Sequence, residues 1–403
     1  MIPFSPPHIS QEAIDEVVDT LKSGWITTGP KTKLFEEKIK EYCGNKKTLC
    51  LNSATAGLEL ILRWFGVKEG DEVIIPAYTY CATANVVVHC GATPVMVDAN
   101  ADDFNISVKK IKEAITSKTK VIIPVDIAGL PACYEKINDL VRKNEVVNLF
   151  NAETDEQKQL GRILILSDAA HSFGAEYKGK KTGSLTDISV FSFHAVKNLT
   201  TAEGGAIALN LENGFDNDEI YKDLNTMSLH GQNKDALAKT KIGNWRYDVN
   251  DAGYKANMTD INASLGLISL KYYDVQDLPR RKEIMDKYHS EFSKYEWAEL
   301  PIIEDDIRKS SYHLYTLRIK NITEQQRDDI IQKIFEQDVS VNVHFQPLPM
   351  LSAYKNRGYD IKKYPVAFDN YAREISLPVF YNLTNEQVET VIKSVINAYE
   401  SSI

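Results

Sequence analysis

The segment Ile188-Ser189-Val190-Phe191-Ser192-Phe193-His194-Ala195-Val196-Lys197-Asn198-Leu199-Thr200-Thr201-Ala202-Glu203-Gly204-Gly205 joins an apolar run to a polar loop that ends in a glycine pair. A run without polar alternation reads as a strand covered on both faces. The same rhythm recurs upstream, where runs at 48–51, 73–76, 94–98 and 120–125 each lead into a helical stretch, at 54–65, 79–89, 108–115 and 134–143. Further strand runs lie at 163–168 and 206–209. Strands separated by helices form a mostly parallel sheet with right-handed crossovers. Ligands on such sheets sit at the carboxyl ends of the strands. The polar residues after Phe193 fall at such an end.

Composition narrows the partners. The chain has 403 residues, with 47 Lys and Arg against 56 Asp and Glu, a formal net charge of −9. That balance argues against a broad nucleic-acid or anionic-membrane surface, while leaving room for a local phosphate site. No apolar run reaches the roughly 18 residues a membrane helix needs, and Met1-Ile2-Pro3-Phe4 opens no signal peptide, so a cytoplasmic protein is expected. Cys43, Cys50, Cys81, Cys90 and Cys133 form no CxxC pair and lie near no histidine at zinc-like spacing; they read as buried thiols, and no metal is expected.

Two domains are expected. A large α/β domain spans 1–258, with an N-terminal arm over 1–30 and a polar loop insertion near 144–161. The stretch 214–252 reads as a surface helix plus a long loop. A helix from Thr259 leads into a small α+β domain over 259–403, with strands at 312–319 and 339–345 and helices at 324–337 and 385–400.

Lys197 lies just past a strand end, and lysine forms Schiff bases with carbonyl cofactors once its pKa is lowered. In Ser167-Asp168-Ala169-Ala170-His171 the aspartate ends an apolar run. Such a carboxylate caps a helix, ligates a metal, acts as a base or pairs with a buried cation, and the ring nitrogen of pyridoxal phosphate needs a partner of this kind. Asn52-Ser53-Ala54-Thr55-Ala56-Gly57 puts small residues at a helix start, where free N–H groups and the helix dipole favour a phosphate. Neither a GxGxxG fingerprint nor a Walker loop is present, which disfavours dinucleotide and nucleoside-triphosphate readings. With Tyr80 beyond the 73–76 run, the chain carries a phosphate cup, a ring stack, a pyridinium partner and an imine lysine.

The chain resembles the DegT/DnrJ/StrS sugar aminotransferases. The resemblance rests on the Asp168 and Lys197 segments and on Ser23-Gly24-Trp25-Ile26-Thr27-Thr28-Gly29-Pro30, Ser53-Ala54-Thr55-Ala56-Gly57, Gly91-Ala92-Thr93-Pro94-Val95 and Gly253-Tyr254-Lys255-Ala256-Asn257-Met258-Thr259-Asp260-Ile261-Asn262-Ala263. It implies the PLP-dependent transferase fold type I, the aspartate-aminotransferase-like architecture, and a homodimer with active sites at the subunit interface. It also implies pyridoxal 5'-phosphate as cofactor, L-glutamate as donor with 2-oxoglutarate as its product, and a nucleotide-sugar substrate.

By the same resemblance, Lys197 bonds the cofactor and shuttles a proton, Asp168 pairs with the pyridinium nitrogen, Tyr80 stacks on the ring and His171 supports it. Thr55, Ala56 and Ser192 bind the phosphate, with Asn257 reaching across from the second subunit. His344 falls near the sugar-nucleotide site, Tyr254 and Lys255 beside the substrate diphosphate, and Trp25 and Thr28 along the sugar pocket.

Within the family, the chain looks most like the ArnB type, which aminates a 4-keto UDP-pentose. A 3-dehydratase in the family carries histidine where this chain has Lys197, and 3-keto enzymes carry a Pro-Gly-Lys-Asn-Leu-Gly run that is absent here. A 4-keto-6-deoxyhexose on UDP, dTDP or GDP is the neighbouring alternative. The rival from another class, a non-catalytic regulator, would not need Lys197, Asp168 and the phosphate cup together. Departures from the ArnB pattern are Tyr80 in place of tryptophan, Ala202 at a position often glycine or cysteine, the 144–161 insertion, and a loose match around His344. His8, His89, His230, His289 and His313 match no functional position, and Arg280-Arg281-Lys282 reads as a solvated helix start.

Overall fold

A computed structural model describes residues 1–212, 214–233 and 247–403. Its centre is a seven-stranded sheet. In chain order the strands are β1 Lys47–Leu51, β2 Glu72–Pro76, β3 Thr93–Val97, β4 Thr119–Ile122, β5 Leu164–Asp168, β6 Ile188–Ser192 and β7 Gly205–Leu209. Their spatial order is β1-β7-β6-β5-β4-β2-β3. Only β7 runs against its two neighbours; the other pairings are parallel.

Successive side chains on a strand point to opposite faces, and here both faces are covered. On one face Val73, Ile75, Val121, Leu164, Leu166, Val190 and Ile207 pack with Leu58, Ile61, Leu62, Val86 and Val87 of the helices Ala54–Trp64 and Cys81–His89. On the other, Ile74, Ile122 and Ile165 meet Tyr134, Ile137, Leu140 and Val141 of the helix Tyr134–Val141. Further along that face, Phe191, Ala206 and Ala208 meet Phe35 and Ile39. This double burial is why the strand runs are continuously apolar. At about 1.5–3 kcal/mol per fully buried aliphatic or aromatic side chain, it is the main force holding the scaffold of the site.

The segment 144–161 is not a plain loop. It forms the short helices Asn144–Val147 and Asp155–Leu160, the second capped by Thr154 through Gln157 N–H. Gln157 Nε2 donates to Phe65 O at 2.8 Å, so the insertion closes over the end of the helix Ala54–Trp64. Lys120, near the start of β4, donates to Asn151 O and holds it from the sheet side. That is the amino end of the strand. Asp168 and Ser192 lie at carboxyl ends, so the insertion sits away from them.

The N-terminal arm contains the helix Gln11–Ser23, followed by Pro30–Cys43. Asp260 accepts from the N–H groups of Gly29, Lys31 and Thr32 and so caps the second helix. Thr259 in turn caps the helix Asp260–Tyr272.

In the C-terminal region a three-stranded antiparallel sheet joins Ala298–Glu299, Tyr315–Ile319 and Glu374–Leu377. The helices Glu324–Phe335 and Asn385–Ser402, each begun by a Thr/Gln capping box, pack on it. The strand expected over 339–345 is corrected. That stretch makes only isolated pairings, Ile2 with Val339 and Asn342 with Ser376. Tyr78 takes the His344 carbonyl, so the segment's polar groups are shared among three elements instead of one ladder. The sheet strand forms at Glu374–Leu377. Among the described residues, no helix is long and apolar enough to cross a membrane.

Candidate active site

A cavity of about 390 Å³ opens at the carboxyl ends of β5 and β6. Lys197, Asp168, Ser53, Thr55, Tyr80, His171, Ser192 and His344 all line it. The sequence separates these residues by up to 291 positions (344 − 53); the parallel sheet gathers them.

Lys197 is set by a turn after β6, where its N–H donates to His194 O at 2.8 Å and Thr201 N–H donates to Phe193 O at 2.9 Å. Burial pushes its pKa down to about 8, against the attraction of Asp168. Near neutral pH the amine therefore has a far larger neutral, nucleophilic fraction than an ordinary lysine.

Asp168 ends β5 and is buried. Burial raises its pKa, opposed first by the Thr83 hydroxyl, which donates to Oδ2 at 2.8 Å, then by Ala170 N–H and by Lys197. Thr79 and Thr83 hydroxyls lie 3.0 Å apart and hold this arrangement. Asp168 caps no helix; its carboxylate is presented to the cavity beside a lysine.

Ser53 begins the helix Ala54–Trp64, its Oγ accepting from Ala56 N–H at 3.1 Å. The Ala56 N–H is engaged by this cap, and Ser53, Ala54 and Thr55 line the cavity. A Cβ on Gly205 would lie 2.4 Å from Ala54 N, so only glycine lets the helix start come this close to β7.

His171 is buried, and its Nδ1 has no hydrogen-bond partner. Burial depresses its pKa well below the usual histidine range, helped by Lys197 and His344. Its ring stacks on Phe345 at 5.7 Å and lies 4.4 Å from His313. Tyr80 is 60% exposed, its ring 5.9 Å from Phe345, and stands at the cavity lip. His344 donates its N–H to Glu374 Oε2 at 3.0 Å, and its Nδ1 lies 2.9 Å from Ser376 Oγ.

His313, which matches no functional position in the sequence, lines the cavity. Its Nδ1 lies 2.8 Å from Asn198 Oδ1, and Asn198 donates to Ser311 O at 2.6 Å, tying the C-terminal region to the lysine loop. A histidine inside the apolar run 312–319 was the available signal.

Besides Ala56, five expected residues lie outside this cavity in the single chain. Trp25 Nε1 donates to Thr28 O, Thr28 donates to Met258 O, and Asn257 donates to Thr28 Oγ1, forming one cluster beyond β1. Tyr254 lies under the Arg63 guanidinium at 5.2 Å, and the Lys255 backbone pairs with Leu229. The five cysteines are free. Among the described residues, no cluster of three or more His, Cys, Asp or Glu side chains is placed to hold a metal ion.

The donor set fits pyridoxal phosphate: a buried lysine of lowered basicity, a buried carboxylate, a helix start brought close by Gly205, and an unpaired imidazole nitrogen.

The chain is similar to three known proteins. Spr1654 from Streptococcus pneumoniae, assigned as a sugar aminotransferase, has a PMP-form structure that superposes with a TM-score of 0.96 at 47% identity, covering 100% of both chains. The same protein has been solved in a PLP-form. Helicobacter pylori PseC, an aminotransferase involved in the biosynthesis of pseudoaminic acid, superposes with a TM-score of 0.86 at 30% identity, over 99% of each chain. The spore coat polysaccharide biosynthesis protein SpsC from Bacillus subtilis is 34% identical, over 98% of this chain and 96% of its own. The mostly parallel sheet and the match to these structures establish the fold type I architecture. Residues 7–396 match the DegT/DnrJ/EryC1/StrS aminotransferase family, and the chain belongs to that family.

Proposed function

We propose that this chain is a pyridoxal-phosphate-dependent aminotransferase that moves the amino group of L-glutamate to C4 of a 4-keto nucleotide sugar, with a UDP-4-ketopentose as the first substrate to try. The observation that carries the reading is the lowered basicity of Lys197 in one cavity with Asp168.

When bound, pyridoxal phosphate supplies an electron sink for the carbon that loses its proton. Lys197 Nζ would provide the amine that holds the cofactor and the base that carries a proton. Asp168 keeps the ring nitrogen protonated, with Thr83 fixing its orientation. The start of the helix Ala54–Trp64 receives the phosphate through Ser53, Ala54 and Thr55, with Ser192 alongside. Tyr80 and His171 are the aromatic surfaces we assign to the ring, while Phe4, Leu58, Leu314 and Phe345 give the cavity apolar walls.

The sugar assignment draws on SpsC and PseC, whose roles are in polysaccharide and pseudoaminic acid biosynthesis. The 194–203 loop, which lacks the 3-keto run, supports C4. A homodimer is part of the proposal. Exposed Ile9, Ile14 and Val18 border an apolar groove shared with Ala195 and Ala202, beside the lysine loop. Asn257, Tyr254 and Lys255, which do not line the cavity of the single chain, are the residues the second copy is proposed to contribute.

A panel of UDP-, dTDP- and GDP-linked 4-keto pentoses and 6-deoxyhexoses, with 2-oxoglutarate release from L-glutamate as readout, tests the substrate. Turnover of the UDP-ketopentose supports the first reading, and turnover of a deoxyhexose moves the assignment to the alternative. Silence across the panel, with glutamate reacting, excludes both sugars.

A further inference from the structure

Behind His344 lies a hydrogen-bonded path that the functional reading does not use. Ser376 Oγ sits 2.9 Å from His344 Nδ1 and donates to Glu374 Oε1, while Glu374 Oε2 accepts the His344 N–H at 3.0 Å. Glu374 and Ser376 alternate with Ile375 on the strand Glu374–Leu377, so they share one face. Reciprocal backbone bonds between Asn342 and Ser376 fix the spacing of strand and histidine segment. Because Ser376 occupies Nδ1, the other ring nitrogen, Nε2, is the atom His344 offers to the cavity it lines.

We propose that Glu374 and Ser376 form a proton relay that decides which nitrogen of His344 carries hydrogen, and so whether the ring accepts or donates a hydrogen bond toward a substrate hydroxyl or carbonyl. With Glu374 ionised, Ser376 donates to the carboxylate and accepts from Nδ1–H, leaving Nε2 as an acceptor. The alternative state holds one more proton. It enters at Nε2 from the cavity, the Nδ1 proton passes to Ser376 Oγ, and the Ser376 proton passes to Glu374. Nε2–H is then a donor. Glu374 and Ser376 act through His344 as positioning residues.

The surroundings support a carboxyl that titrates in a useful range. Burial raises Glu374 to about 8, against hydrogen bonds from Ser376 and the His344 backbone and against Arg327 and Arg318. Arg318 comes from the paired strand and is itself bound to Glu299, Arg327 comes from the helix Glu324–Phe335, and the Tyr78 hydroxyl approaches from beyond β2. Facing the imidazole across the cavity are Lys197, His171 and His313. Burial, with Lys197 adding to it, lowers His344 to about 4, so the ring stays neutral while Glu374 titrates.

The test is nitrogen NMR on the chain as purified, labelled with ring-15N histidine, with and without added pyridoxal phosphate. The His344 signal is assigned by its loss in His344→Asn. Between pH 6.5 and 9.5 the ring is expected to pass from Nε2–H to Nδ1–H with a midpoint near 8. In Glu374→Gln the amide oxygen takes the His344 N–H and the amide NH₂ faces Ser376, so Nε2–H is expected at every pH. Ser376→Ala should abolish the pH dependence, and Ser376→Thr should restore it. A single native tautomer across this range overturns the relay, even if no variant folds. So does a Glu374→Gln protein that switches like the parent. The proposal rests on the functional reading only for the identity of the molecule at Nε2. A cofactor indifferent to glutamate would defeat that reading and leave the tautomer result standing.

Discussion

The Thr83 hydroxyl donates to Asp168 Oδ2 at 2.8 Å, and Asp168 shares its cavity with Lys197. The threonine comes from the helix Cys81–His89, the aspartate from the end of β5, and the lysine from the loop after β6. The charge state of the cavity floor therefore depends on a residue from a third element. Burial favours the neutral acid at Asp168, and Thr83 is the largest influence opposing it.

Replacing Thr83 by Val removes that donor. A hydrogen bond to a charged group contributes about 1.5–3 kcal/mol, so the glutamate half-reaction should slow by about tenfold or more in single-turnover kinetics. Thr83→Ser should retain most of the rate. An unchanged Thr83→Val rate would show that the bond does not tune Asp168.

Lys197 gives a pH prediction with a definite sign. Its folded-state pKa is lowered to about 8 from the ordinary 10.5, so between these values the unfolded chain binds more protons and stability rises with pH. Below about 8 the buried charge destabilises the cofactor-free protein. Lys197→Met should thus melt higher than the parent at pH 7, with the gap closing as pH approaches 10. Calorimetry across that range checks the trend, and a gap independent of pH would contradict it. Imine formation between the parent protein and pyridoxal phosphate should accelerate as pH rises through about 8.

Much of this was legible in the sequence because the chemistry and the local structure coincide. Continuous apolar runs ending in Asp168 and Ser192 announce doubly covered strands, and their carboxyl ends mark the site. Thr83 was not legible, and His313 was marked only by being a histidine inside an apolar run. Each reaches the cavity through tertiary packing, His313 by its bond to Asn198 and Thr83 by the placing of its helix against β5. The run at 339–345 alternates like a strand, but its backbone partners are scattered among Ile2, Tyr78 and Ser376, a distribution no local pattern encodes.

Gly205 tests the phosphate cradle. A methyl group there would meet Ala54 N at 2.4 Å and Ser53 C at 2.5 Å, both backbone atoms that cannot swing aside. Gly205→Ala should push the helix start outward and weaken pyridoxal phosphate binding by at least tenfold in equilibrium titration. Wild-type affinity would mean that the cofactor phosphate is held elsewhere.

His313→Leu keeps the bulk of the ring but removes the Asn198 bond, loosening the tie between the C-terminal region and the lysine loop. Hydrogen exchange should rise over 194–201, with a smaller loss in cofactor affinity than Gly205→Ala causes. Unaltered exchange in that loop would place the tie elsewhere.

The central claim is that Lys197 and Asp168 operate pyridoxal phosphate on an amino donor. The direct measurement is the visible absorbance of the protein mixed with pyridoxal phosphate, before and after L-glutamate. The account predicts an imine band that gives way to the pyridoxamine form in the parent and is absent in Lys197→Ala. A parent protein that forms no band, or a band indifferent to glutamate and other amino donors, would contradict it.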